Sequence, residues 1–247
     1  MDKLLYIASS GANQDLLATG VRANNLANAQ TTGFKAQLQQ ARAMPAYGEG
    51  LPTRVFSMTE SPSNNYGAGA LQATGRDLDL AIQGEGWFAV QDKNGNEAYS
   101  RDGRFQMNSE GGLVDAHGSP VIGDFGPIVL PVPISNLTIS PDGTIFTTPQ
   151  GAPATVQEEA GRLRFVNPDT KELERGSDGL FRLKNGEDAN FDDSVTVASG
   201  FLEVSNVNAI DEMMSVIGLQ RHYELQVKMM KSAEDLDTRG NSLLRIL

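Results

Sequence analysis

His117 and His222 are the only imidazoles in the 247-residue chain. They fall on segments of different character, so neither a two-histidine metal helix nor a histidine cluster is available. A Ser/His/Asp triad is assembled by the fold and has no fixed spacing, but no G-x-S-x-G elbow is present to mark one. Gly84-Glu85-Gly86-Trp87-Phe88-Ala89 fits the loose dinucleotide pattern G-x-G-x-x-A. That fingerprint needs a helix after it; the following residues are strand-like and aromatic, so the glycines read as a turn between strands. Asp77-Leu78-Asp79 opens like a calcium loop, but the sixth position, which must be glycine, is Ile82. Glu158-Glu159 and Asp192-Asp193 are carboxylate pairs of the sort glycoside hydrolysis uses. Among 31 acidic residues they read as solvated surface. Asn136-Leu137-Thr138 is a glycosylation sequon short enough to arise by chance. These residues assign no catalytic site, no cofactor and no metal.

Composition narrows the partners. Lys plus Arg is 20 against 31 Asp plus Glu, a net charge of -11 that repels phosphate and argues against nucleic acid and anionic membrane. Cysteine is absent, which removes disulfides, thiolate chemistry and thiolate-bound metals. Hydrophobic residues at 39% and charged residues at 21% suit a folded chain. No run of about 18 apolar residues exists to span a bilayer. The apolar stretch Leu4 to Ala8 is too short for the core of a secretory signal.

Charge and helix breakers are both confined to the middle. Residues 1–35 carry three Lys/Arg and two Asp/Glu, residues 205–247 carry five and six, and 36–204 carry 12 and 23. No proline precedes Pro45 or follows Pro168. The chain therefore divides into a helical end (1–35), an extended linker with local structure (36–75), a β-rich middle (76–204) and a second helical end (205–247). In the first end, Leu5, Ala8, Ala12, Leu16, Thr19, Ala23 and Leu26 step by three or four and share one helix face. Gly33 is placed as the residue that ends this helix. In the last end, Met213, Val216, Gln220, Tyr223, Val227 and Met230 keep a coiled-coil spacing. A neighbouring register, Met229, Ala233, Leu236, Gly240, Leu243 and Leu247, takes over beyond it, which implies a wide apolar surface or two partners at different heights. From periodicity alone the default expectation is that each helix packs on its own β domain.

The middle alternates short apolar runs with turn residues. Trp87-Phe88-Ala89-Val90, the turn Asp92-Lys93-Asn94-Gly95 and Glu97-Ala98-Tyr99-Ser100 read as strand, tight turn, strand. Further runs such as Leu137-Thr138-Ile139, Phe165-Val166 and Leu180-Phe181-Arg182-Leu183 extend the pattern to an antiparallel β region. The fold class is α+β.

Three longer motifs are not generic. Ala23-Asn24-Asn25-Leu26-Ala27-Asn28-Ala29-Gln30-Thr31-Thr32-Gly33-Phe34-Lys35 resembles the N-terminal signature of bacterial flagellar rod and hook proteins. Ser205-Asn206-Val207-Asn208, Glu212-Met213, Ile217, Gln220-Arg221-His222-Tyr223-Glu224 and Lys228 resemble the C-terminal signature of that family. Leu78 to Phe88 and Tyr99-Ser100-Arg101-Asp102-Gly103-Arg104-Phe105 resemble the opening of its β domain. Leu51-Pro52-Thr53-Arg54 and Gly176 to Leu183 look most like the proximal-rod members, with the distal-rod members the near alternative.

The resemblance implies a structural protein, not an enzyme. Its terminal helices would pair as a coiled-coil-like inner domain of a tubular assembly, with the β domain outside. Its partners would be further copies of itself, other rod proteins and the flagellar type III export apparatus, with no nucleic acid and no small-molecule substrate. Its place would be the flagellar basal body, reached without a cleaved signal peptide. The alternative outside the family is a β-rich carbohydrate-acting or binding module. Contacts between unlike faces of neighbouring subunits build an open helical tube. The residues expected to make them are Leu5, Ala8, Ala12, Leu16, Ala23 and Leu26 on the first helix. On the last they are Met213, Val216, Ile217, Gln220, Tyr223, Val227, Met230, Leu236, Leu243 and Leu247. Asn24, Asn25 and Asn28 are poor helix formers, so their place in the motif is expected to reflect hydrogen bonds that fix register, or else simple exposure.

Overall fold

A computed structural model describes residues 2–45, 55–59, 63–153 and 155–244. It divides into two compact units. The helical unit comprises residues 1–29, 35–65 and 207–247, and the β unit comprises 30–34 and 66–206.

In the helical unit, α1 (Asp2–Ala27) and α2 (Ala209–Leu244) pack together. Arg22 meets Glu212 and Gly11 meets Gln226, so the two run antiparallel. At about 1.5 Å per residue they are about 39 and 54 Å long. Asn208 caps α2: its Oδ1 accepts the N–H of Ile210 at 3.1 Å, and Asp211 and Glu212 occupy the first turn, where carboxylates favour the helix dipole. α1 ends at Ala27, where Asn28 donates both its backbone N–H, at 3.1 Å, and its side-chain amide, at 2.9 Å, to the Asn24 carbonyl, satisfying one of the last-turn acceptors. Gly33 therefore does not end the helix. The segment expected as a linker is shared between the units. Gln37–Leu38 pairs with Ser63–Asn64, and Ala41–Pro45 with Val55–Thr59, forming a ribbon beside α1. The Ser10 hydroxyl donates to the Ser57 carbonyl at 3.1 Å. Leu71–Ala73 instead pairs with Phe201–Glu203 in the β unit.

The β unit is built from short antiparallel strands. A five-stranded sheet runs in the order Phe165–Val166, Trp87–Gln91, Glu97–Ser100, Phe181–Leu183, Leu173–Arg175. A three-stranded sheet joins Ile134–Ile139, Thr144–Pro149 and Glu158–Arg162. Trp87 to Val90 are apolar without alternation because both faces of this strand are covered. Phe88 and Val90 enter one core with Leu80, Phe105 and Phe165, while Trp87 and Ala89 enter a second with Tyr99 and Phe181. Three turns repeat one device. Asp92, Asn108 and Asp115 each accept the backbone N–H groups two and four residues on, and Gly95, Gly111 and Gly118 take the positive φ that closes each loop.

Candidate assembly surface on the helical pair

The C-terminal turns of α1 carry a polar knot. Asn25 is fully buried. Its Oδ1 accepts the N–H of Gln37 at 2.9 Å and its Nδ2 donates to the Gln37 carbonyl at 2.9 Å, the two-way pairing a neighbouring strand would make. The same Nδ2 reaches Glu212 Oε1 at 3.2 Å. Arg22 Nη1 donates to both oxygens of Glu212, at 3.1 and 3.2 Å. Glu212 is itself only 6% exposed, so its charge is balanced inside the unit. One knot thus joins α1, the strand Gln37–Leu38 and the first turn of α2.

Beyond the knot the seam is made of small residues. Ala8, Ala12 and Ala233 are buried, and Gly11 lies so close to the Gln226 amide that a Cβ there would meet it at 2.5 Å. Among the described residues, the apolar side chains buried in the helical unit are all alanines: Ala8, Ala12, Ala36 and Ala233. The large ones point outward. Of the 22 described large apolar residues that are exposed, 15 belong to this unit. Tyr6, Leu16 and Leu17 stand on α1, and Ile210, Met213, Met214, Ile217, Leu225, Val227, Met229 and Leu236 on α2.

Charge divides in the opposite sense. The helical unit holds ten Lys/Arg and ten Asp/Glu, whereas the β unit holds ten and 21. The whole net charge of -11 is therefore on the β unit. An apolar, neutral surface on one unit and a strongly acidic surface on the other suit association through the first and solvation of the second.

The residues picked from sequence do not form one face. Ala8, Ala12 and Asn25 are consumed by contacts within the chain. Leu5, Leu26, Val216, Tyr223 and Met230 are half-buried. Leu16, Ala23, Met213, Ile217, Gln220, Val227 and Leu236 are exposed. Asn24 is exposed, and the Asn28 side chain closes the last turn of α1. Leu247, the side chain of Leu243 and the stretch Leu51 to Arg54 lie outside the described residues. The seam toward α1 runs through Glu212, Gln226 and Ala233, beside the Met213 register, because small and hydrogen-bonded residues allow the closer approach. Arg22, Gln37, Glu212 and Gln226 had no signal of their own as a group. Glu212 and Asn25 lie within motifs, but nothing in their spacing says that they touch.

The rest of the N-terminal motif belongs to the β unit. The Thr32 hydroxyl donates to Asp102 Oδ1 at 2.7 Å and accepts from Arg104 Nη2 at 3.2 Å. Burial pushes the Asp102 carboxyl up, against the hydrogen bonds from Thr32 and the Arg104 backbone. The Gly33 N–H donates to the Glu203 carbonyl at 2.8 Å, and the Arg175 guanidinium lies 4.4 Å over the Phe34 ring. His117 is an exposed turn residue and His222 an exposed residue of α2. Glu158 and Glu159 are exposed on the strand Glu158–Arg162, and Asp193 pairs with Arg162, at the end of that strand, at 2.8 Å.

Three stretches of the chain match known protein families. Residues 5–35 match a family described as flagella basal body rod protein. Residues 81–147 match the flagellar hook protein FlgE/F/G D1 domain, and 198–243 the flagellar basal body rod FlgEFG protein C-terminal region. The chain is similar to the flagellar basal-body rod protein FlgF of Escherichia coli, 41% identical over 99% of both chains. It is 36% identical to FlgF of Caulobacter vibrioides over 96% of this chain and 95% of that one. It is 30% identical to the rod protein FlgG of Buchnera aphidicola (Schizaphis graminum strain) over 94% of this chain and 96% of the other. The three family matches fall on the two helices and the β unit in the order expected of one continuous relative, and the chain belongs to the flagellar basal-body rod proteins of the FlgE/F/G family, in which it is FlgF-like.

Proposed function

We propose that this chain is a structural building block of the proximal rod of the flagellar basal body. It joins neighbouring copies and other rod proteins through the exposed apolar faces of α1 and α2, and so passes torque along the axial tube. One observation carries the reading: a helical unit that buries only alanines among its described apolar residues still exposes 15 large apolar side chains. Covering each Leu, Ile or Met with a neighbour is worth about 1.5–3 kcal/mol, which is what holds a non-closing helical assembly together. The interface is Leu16 with Met213, Ile217, Val227 and Leu236, flanked by the half-buried Leu5, Leu26, Val216, Tyr223 and Met230. Entry through the flagellar type III channel belongs to the same reading. A chain without cysteine carries no covalent cross-link that would stop it being threaded unfolded.

The test is complementation of a strain lacking the gene, with the protein located along purified basal bodies. Ile217→Asp is expected to abolish incorporation and swimming while the melting of the β unit, followed by the single tryptophan Trp87, stays unchanged. Normal rods built from the Ile217→Asp protein would refute the interface. Finding the wild-type protein near the distal end would refute the proximal placement.

A further inference from the structure

Building on this rod-protein reading, we propose that Arg22, Asn25 and Glu212 are positioning residues that select one register of α2 against α1, and thereby determine which apolar residues the pair presents to its neighbours.

The small-residue seam cannot make that choice. Heptad positions recur every seven residues, so a slip of α2 by seven, about 10.5 Å, keeps the same faces together. Such a slip puts Ala233 where Gln226 now meets Gly11, one small or flexible residue replacing another. Ala8 and Ala12 have no branched side chain to resist it. At the other end the slip is not neutral. It brings Leu219 to the place of Glu212, opposite Arg22 and Asn25. Arg22 then loses both charge-assisted bonds, and Asn25 loses one of its two acceptors. A buried polar contact at one seam position is a known means of specifying helix register at some expense of stability. Here the knot also reaches the Gln37 backbone through Asn25, so the ribbon beside α1 is locked in the same act.

Presentation follows from register. Met213 and Ile217 lie one and five residues beyond Glu212, and a seven-residue slip would carry both about 10.5 Å along α1. A neighbour built to receive them would find them displaced.

Because the chain has no cysteine, register is open to direct measurement in the full-length protein. Two pairs are introduced separately, Gly11→Cys with Gln226→Cys for the observed register and Gly11→Cys with Ala233→Cys for the slipped one, and joined with a short bis-maleimide. With the knot intact, the first pair is expected to react at least about tenfold faster than the second. Glu212→Gln and Asn25→Ala should bring the two rates together, and recovery of these variants in basal bodies should fall in parallel. The exchange Arg22→Glu with Glu212→Arg re-forms the ion pair but sets a donor against Asn25 Nδ2, so it should recover part of the rate difference and of the incorporation lost in Arg22→Glu alone, a rescue that bulk or helix propensity would not give. Trp87 fluorescence verifies that the β unit is folded in every variant. Unchanged cross-linking in Glu212→Gln and Asn25→Ala would overturn the proposal, as would lost register with normal incorporation. If the wild-type protein itself were missing from basal bodies, the rod-protein reading would fail, while the cross-linking rates would still decide whether the knot sets register.

Discussion

Gly33 has φ of +67°, and a Cβ placed there would lie 2.3 Å from the carbonyl carbon of Arg101 and the nitrogen of Asp102. Its place in the sequence suits a helix end, where a glycine of positive φ is common. The actual demand is different: a backbone pressed against backbone, with no flexible side chain to yield. Gly33→Ala therefore combines left-handed strain with a clash that only main-chain movement relieves. We expect a loss of about 2–4 kcal/mol in the stability of the β unit, read as a lower midpoint in denaturant of the Trp87 signal. Gly11 is the contrasting case. Its nearest obstacle is the end of the Gln226 side chain, which can rotate away. The three motif asparagines divide the same way, since Asn25 is an internal clamp, Asn28 covers a carbonyl of the last turn of α1 and Asn24 is a surface residue. Residue identity alone did not separate them.

Two turns of the β unit are tied by one arginine. Arg182 Nη2 donates to Asp92 Oδ2 at 2.9 Å and to Asp178 Oδ2 at 2.6 Å. Burial pushes the Asp92 carboxyl up, but hydrogen bonds from the Asn96 and Asn94 backbone and from Arg182 outweigh it and leave the group below its ordinary value of 3.8. The Arg182 hydrogen bond holds Asp178 low as well. Lowered carboxylates stabilise the fold above their ordinary values, and that stabilisation is lost as pH falls through the folded values. Arg182→Gln should thus lower the melting temperature at neutral pH, and the gap from wild type should narrow as pH falls below the ordinary carboxylate value of 3.8. A gap independent of pH would show that the arginine acts by packing alone. The helices make a separate point at this scale. Gly218 lies inside α2, and apart from the helix's own backbone no atom of the described residues lies within 4 Å of where its Cβ would be. Within the chain it costs helix stability of about 0.5–1 kcal/mol without return. Gly218→Ala should make the isolated protein more stable by that amount. If a neighbour approaches there, the same change should weaken incorporation into basal bodies.

At the scale of the molecule, the two units rest on different physics. The β unit buries Phe88, Phe105, Phe165, Trp87 and Tyr99 in cores of its own. The helical unit has alanines, a glycine contact and a polar knot. Most helical stability comes from burying an apolar face, and in the lone chain much of that face is uncovered. Limited proteolysis of a verified monomer is accordingly expected to trim both chain ends and leave a resistant fragment close to residues 66–206. Equal protection of the terminal helices would show that they are stable without neighbours. Association should also tolerate added sodium chloride, because the helical unit has no net charge to screen.

The amino-acid sequence by itself determined the α+β class, the two terminal helices, the strand-rich middle and the family, because each is written in local terms: apolar periodicity, proline placement and contiguous motifs. It also located the -11 charge in the middle of the chain, since charge is additive along a sequence. Only the tertiary structure decided the rest. The supposed linker between 36 and 75 was divided, one part becoming a ribbon on α1 and another an edge strand of the β unit, because strand pairing depends on partners far along the chain. Which apolar residues of α2 face α1 was likewise invisible, since two registers satisfy the same spacing and the choice turns on Arg22 and Asn25 meeting a glutamate 190 and 187 residues away.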